Sequence, residues 1–153
     1  MTPAGHTAVV AELKELKEIT RHKIVRDIEE ARAHGDISEN SEYEDAKHRQ
    51  ALCEGRILEL EGKVAAAEII DVKKLEVSDR VVFGVTVNLE DLETEDVHTY
   101  TIVGTDEADV KAGKISVTSP LGRALVGKEA GEEVAVQTPR GVRRFAIEEV
   151  HYQ

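Results

Sequence analysis

A chain of 153 residues that is 41% hydrophobic and 33% charged suits a folded protein of one or two small domains. Its net charge of -11 excludes long-range attraction to a polyphosphate, and 3% aromatic residues with no Trp exclude a stacking platform for single-stranded nucleic acid. One cysteine, Cys53, rules out an internal disulfide framework and a Cys-based zinc cluster. No run of about 18 apolar residues and no signal-like apolar stretch is present, so the expected location is the cytoplasm, without a membrane partner.

From roughly Thr7 to Ala33, the positions Leu13, Leu16, Thr20, Ile24, Ile28 and Ala31 recur every three or four residues among charges. This predicts one long amphipathic helix. A second follows, in which Tyr43, Ala46, Gln50, Cys53, Ile57, Leu60, Val64 and Ala67 alternate steps of three and four, the spacing of a coiled-coil seam. Gly35 can end the first helix, and Ser38, Ser41 and Glu42 offer capping chemistry for the second. Two long helices with a short connection become antiparallel neighbours. At 1.5 Å per residue such a hairpin reaches about 45 Å, more than a compact domain requires.

Near Leu75 the pattern changes. "RVVFGVTVNLE", "HTYTIVG", "KISVTS", "EEVAVQT" and "VRRFAIEEVHY" are β-branched runs separated by Gly, Asp, Asn and Pro, and "SPLGRALVG" can open a short helix at Ser119 and Pro120. The expected class is α+β, with a helical hairpin over residues 1–75 and a mostly antiparallel sheet domain over 76–153.

The turn "HGDISENSEYEDAK" carries the most specific chemistry. Asp36 and Glu39 stand three residues apart, and a turn opening a helix can bring both carboxylates toward one point. They can hold a hard divalent cation but cannot build a complete site, because Mg²⁺ takes octahedral oxygen ligation and keeps waters or substrate phosphate. On the residues alone, the plainer reading is that they solubilise a turn and favour the N-terminus of the second helix. A calcium loop starting at Asp36 fails, since Ser41 falls where the turn glycine is needed and Lys47 where the bidentate Glu belongs. The tetrapeptide Asp106-Glu107-Ala108-Asp109 has no phosphate-binding loop to accompany it and reads as a connection between strands. His34 and His48 lack a ligand set at a usual spacing. Cys53, on the seam, reads as core.

Taken in order, "ARAHGDISENSEYEDAKHRQALCEGRILELEGKVAAAEIID", "VVFGVTVNL", "YTIVGTDEAD", "ISVTSPLGRALVGKEAGEEV" and "TPRG" resemble the bacterial Gre-family transcript cleavage factors, nearer the GreA branch than GreB, notably through "LCEGRI". The resemblance spans essentially the whole chain. It implies a coiled-coil hairpin followed by an FKBP-like domain that docks at the mouth of the RNA polymerase secondary channel. The hairpin then enters the channel and stimulates cleavage of RNA whose 3′ end was extruded by backtracking. By the same resemblance Asp36 and Glu39 are the catalytic pair, sharing a Mg²⁺ with the polymerase, and the factor, a monomer, completes the polymerase's hydrolytic site without being an enzyme itself.

The resemblance also places Arg32, Lys47 and Tyr43 against the extruded RNA. Ordinary surface pairing of Arg32 and Lys47 with Glu29 or Glu44 is the competing reading, as is plain packing for Tyr43. Thr118, Ser119 and Pro120 fall where Gre factors meet the polymerase rim, although an acidic or amide residue often accompanies that Ser-Pro and Thr118 departs from it. Two other functions stay open: a channel-occupying inhibitor without cleavage, disfavoured by the retained carboxylates, and an FKBP-like holdase or prolyl isomerase. The isomerase needs an aromatic-lined pocket, for which the second half offers only Phe83, Tyr100, Phe145 and Tyr152, expected mostly in the core.

Overall fold

The computed structural model describes residues 1–33 and 41–153. They form two compact units, one of Ala4–Ala67 and one of Met1–Pro3 with Glu68–Gln153.

The leading helix, which makes up much of the first unit, starts at Pro3, a few residues before the expected Thr7. Proline is well suited to the first helical position because its missing N–H is not needed there. The helix runs through α1 (Pro3–Glu15), a π-helical segment (Leu16–Thr20) and α2 (Arg21–Ala33). The π segment follows from the spacing of apolar positions. Between Leu16 and Ile28 the seam takes three consecutive steps of four, and at about 100° per residue these would carry it roughly 120° around an α-helix. The wider i→i+5 winding absorbs the surplus. All six predicted seam residues of this helix are accordingly buried or half-buried, with Ile24 the most enclosed.

The second long helix, α3 (Ser41–Ala66), lies antiparallel to the first, since Arg21 meets Glu54 and Asp27 meets Arg49. Ile24, Cys53 and Ile57 form the seam's centre, with Leu13, Leu16 and Ile28 packed against them. Burial pushes the Cys53 thiol up, and Glu54 adds to the shift, which keeps it a neutral packing group.

The second unit is built on a five-stranded sheet ordered β3-β2-β1-β5-β4, with β1 Thr86–Asp91, β2 Val97–Val103, β3 Lys114–Ser116, β4 Glu133–Thr138 and β5 Gly141–His151. All neighbours are antiparallel except β2 and β3. The run expected as a strand from Arg80 pairs as a strand only from Thr86. Gly84 takes φ +90, and Val81 instead exchanges backbone hydrogen bonds with Gly127 and Lys128. Val81, Val85, Val87, Leu89, Ile102, Leu125 and Ile147 fill the core, each at most 1% exposed. The one charged residue buried there is Asp91, whose carboxylate accepts from the Glu93 and Thr94 N–H groups and from Arg143, closing the β1–β2 connection.

Candidate functional site

The proposed catalytic pair, Asp36 and Glu39, and the neighbouring His34 and Gly35 lie outside the described residues. What the fold positions is their setting. Arg32 stands in the last turn of α2, and Tyr43 and Lys47 in the first two turns of α3, so the antiparallel hairpin gathers all three at one end. Tyr43 is half-buried; Arg32, Lys47 and His48 are exposed.

The basic residues divide into two sets. Arg21 pairs with Glu54, Arg49 with Asp27 and Asp45, Arg56 with Glu12 and Glu59, and Lys17 with Glu61. The carboxylate hydrogen bond each arginine makes holds its charged form more firmly. These cations join the two helices. Lys14, Lys23, Arg26, Arg32 and Lys47, by contrast, are exposed and make no ion pair among the described residues. The pairing of Arg32 or Lys47 with Glu29 or Glu44 is thus not formed, and their charges remain directed to solvent.

The described residues contain no group of three or more His, Cys, Asp or Glu that could hold a metal ion. For Asp36 and Glu39 the donor chemistry, two hard carboxylates close in sequence, suits Mg²⁺ as part of a shared site.

In the sheet unit, Thr118, Ser119 and Pro120 form the entry to α4 (Pro120–Leu125). Ser119 caps it: its Oγ accepts from the Gly122 N–H at 3.1 Å and donates to the Ser116 carbonyl at 2.6 Å. Pro120 takes the first helical position. Gly122 is obligatory, because a Cβ there would stand 2.1 Å from the Ser116 carbonyl oxygen. Thr118 is exposed and belongs to a ring of hydroxyls with Thr105 and Ser116, two residues that sequence reasoning missed. Only the register of β2 against β3 brings Thr105 and Ser116 together, and nothing in either segment alone announces it.

Other predicted features resolve plainly. Glu107 of the "DEAD" tetrapeptide lies in a 3₁₀ turn, Thr105–Glu107; its carboxylate accepts from the Gly104 and Thr2 N–H groups. Phe145 is buried, Tyr100 and Tyr152 pack against the core, and the Tyr152 hydroxyl donates to the Arg80 carbonyl at 2.6 Å. No described helix is long and apolar enough to cross a membrane.

Two family profiles match the chain. "Transcription elongation factor, N-terminal" covers residues 1–69, and "Transcription elongation factor, GreA/GreB, C-term" covers 76–152. Among curated relatives, the transcription elongation factor GreA of Hyphomonas neptunium is 56% identical over 100% of this chain and 97% of its own length. Those of Psychrobacter arcticus and Neisseria meningitidis serogroup A are 51% and 53% identical, each over 99% of this chain and 96% of theirs. Among solved structures, GreA factor homolog 1 (Gfh1) of Thermus thermophilus is 30% identical over 99% of this chain and 97% of that one, with a TM-score of 0.44.

Proposed function

The chain belongs to the GreA/GreB family of transcription elongation factors, and from that premise we propose that it docks on bacterial RNA polymerase through its sheet unit and inserts the hairpin end into the secondary channel. There it stimulates hydrolysis of backtracked nascent RNA. The observation that carries the reading is that both family profiles match in order over nearly the whole chain while "GDISEN" keeps both carboxylates.

Each element has a distinct task. Asp36 and Glu39 supply hard oxygen donors and acceptors that orient a water toward the scissile phosphodiester. Asp36 and Glu39 would hold Mg²⁺ jointly with the polymerase, and the ion would there supply Lewis-acid polarisation of water and phosphate. Arg32 and Lys47 hold the phosphates of the extruded RNA, with Tyr43 beside its 3′ end. Their freedom from ion pairs with described residues supports this role, because a cation already committed to a carboxylate has less to offer a phosphate. Thr118, Ser119 and Pro120 meet the channel rim. The chain acts as an accessory factor: it contributes part of a site that the polymerase completes.

The test is incubation with a stalled, backtracked bacterial elongation complex carrying 5′-labelled RNA. Shortened labelled RNA that the polymerase can extend again is expected. Channel occupancy without shortening would replace this reading with an inhibitor.

A further inference from the structure

Where β5 passes β1 it carries one residue more than its partner. Leu89 is opposite Ile147 and Asn88 opposite Glu149, which leaves Glu148 as the extra residue of a bulge. Side chains alternate between the two faces of a sheet, so an unbroken β5 would put residue 149 on the core face with Phe145 and Ile147. The bulge reverses the alternation beyond it. Val150 and Tyr152 pack against the core instead, and Glu149 and His151 stand together on the outer face. Asn88 joins them from β1, whose buried residues are Val87, Leu89 and Asp91.

Three chemically different side chains converge there. His151 Nε2 lies 2.9 Å from Glu149 Oε2, and Asn88 Nδ2 lies 3.3 Å from each of these atoms. Turning the Asn88 amide by 180° puts its oxygen at the same corner. The amide nitrogen then donates to Thr99 Oγ1, 2.9 Å from that end of the amide, because a hydroxyl accepts as readily as it donates. Edges of 2.9–3.3 Å subtend angles of about 90–105° at an ion about 2.1 Å from each corner, in the range of transition-metal coordination.

We propose that Asn88, Glu149 and His151 form a three-ligand site for a divalent transition-metal ion, Zn²⁺ by chemical type, on the outer face of the sheet, with water completing the coordination. An imidazole nitrogen beside a carboxylate suits Zn²⁺, whereas Mg²⁺ takes oxygen donors. The chemistry thus differs from that of Asp36 and Glu39, and the site needs neither the hairpin nor a polymerase. Charge on this face favours a cation at that point. Glu90 lies two residues along β1 on the same face. Lys114 is opposite Thr101, three strands across from His151, or about 14 Å away. Arg144 lies back along β5 beyond the bulge, about 15 Å from Glu149. Bound there, the ion ties the last residue of β5 to β1.

The test titrates the full chain with Zn²⁺ alone by calorimetry, with nitrogen NMR of the six imidazoles to locate the ion and circular dichroism as the control for folding. Zn²⁺ should shift the His151 ring nitrogens, and an equal concentration of Mg²⁺ should not displace it. His151→Ala and Glu149→Gln should each weaken binding at least about tenfold. His98→Ala, which removes a ring stacked on Tyr100, should leave it unchanged. Asn88→Asp offers an oxygen in either orientation and should tighten it. No binding by the parent, or binding that His151→Ala retains with no shift at His151, would leave a hydrogen-bonded cluster only and overturn the proposal. An Asn88→Asp variant that binds no more tightly would overturn the three-ligand set.

Discussion

Arg21 and Glu54 meet fork to fork across the helical hairpin, Nε donating to Oε1 at 2.7 Å and Nη2 to Oε2 at 2.8 Å. The paired side chains remain substantially exposed, at 38% and 44%, so solvent and salt screen the attraction. Arg21→Gln should lower the hairpin's melting temperature by no more than about 3 °C, and less in high salt. The paired substitution Arg32→Gln with Lys47→Gln should leave melting unchanged and weaken cleavage, most of all in complexes with longer extruded RNA, which present more phosphates. Melting curves beside cleavage time courses separate the two sets. A uniform small cleavage defect, or a lowered melting temperature, in the Arg32/Lys47 variant would count against RNA contact.

Asp91 gives the sheet unit an acid-sensitive fastening. The Glu93 N–H does most to lower its carboxyl, joined by the Thr94 N–H and Arg143, and together these outweigh burial, which pushes the other way. A carboxyl lowered on folding contributes stability above its unfolded value of about 3.9, and that contribution is lost as pH falls through the folded value. Asp91→Asn should therefore lower the melting temperature at pH 7, and its gap from the parent should close as pH drops below about 4. A gap that is constant from pH 7 to 3 would contradict the assignment.

Two glycines should respond in opposite ways to alanine. Gly122→Ala drives a Cβ into the Ser116 carbonyl and should destabilise the sheet unit by about 2–3 kcal/mol. Gly55 has nothing within 4 Å of an added Cβ in the interior of α3, so Gly55→Ala should stabilise the hairpin by about 1 kcal/mol. Chemical denaturation of each variant checks both signs.

The π segment is also open to direct test. Ile19 within it is 63% exposed, and deleting it changes the steps between Leu13 and Ile28 to 3-3-4-4, close to the α-helical period. The shortened chain should keep its helical content and melt no lower than the parent. Loss of helicity by circular dichroism would show that the wide turn serves something other than the spacing.

How much of this was legible in the sequence depended on whether a feature was local. The seam residues of both helices, the capping of α4 by Ser119 and the core placement of Cys53 all follow from spacing or from single side chains, and the structure has them so. The π segment is present in the run of four-residue steps, but the sequence pattern predicts ordinary helix there, because steps of three and four look alike until their angles are added. Asp91 reads as one more acid in "LEDLETED"; its burial depends on Arg143, which reaches it only through the pairing of β1 with β5. Thr105 and Ser116 are invisible for the same reason.

On the proposed reading labour is divided, with docking in the sheet unit and cleavage at Asp36 and Glu39. That division is tested most directly by comparing Asp36→Asn and Glu39→Gln with the parent in cleavage of a backtracked complex while polymerase affinity is measured on the same preparations. Each amide keeps the side chain's shape but loses the charge a hard cation requires. Stimulated cleavage is expected to be abolished while affinity stays within a few-fold of the parent. Parent-level cleavage by both variants, or a loss of affinity that alone accounts for the lost cleavage, would contradict it.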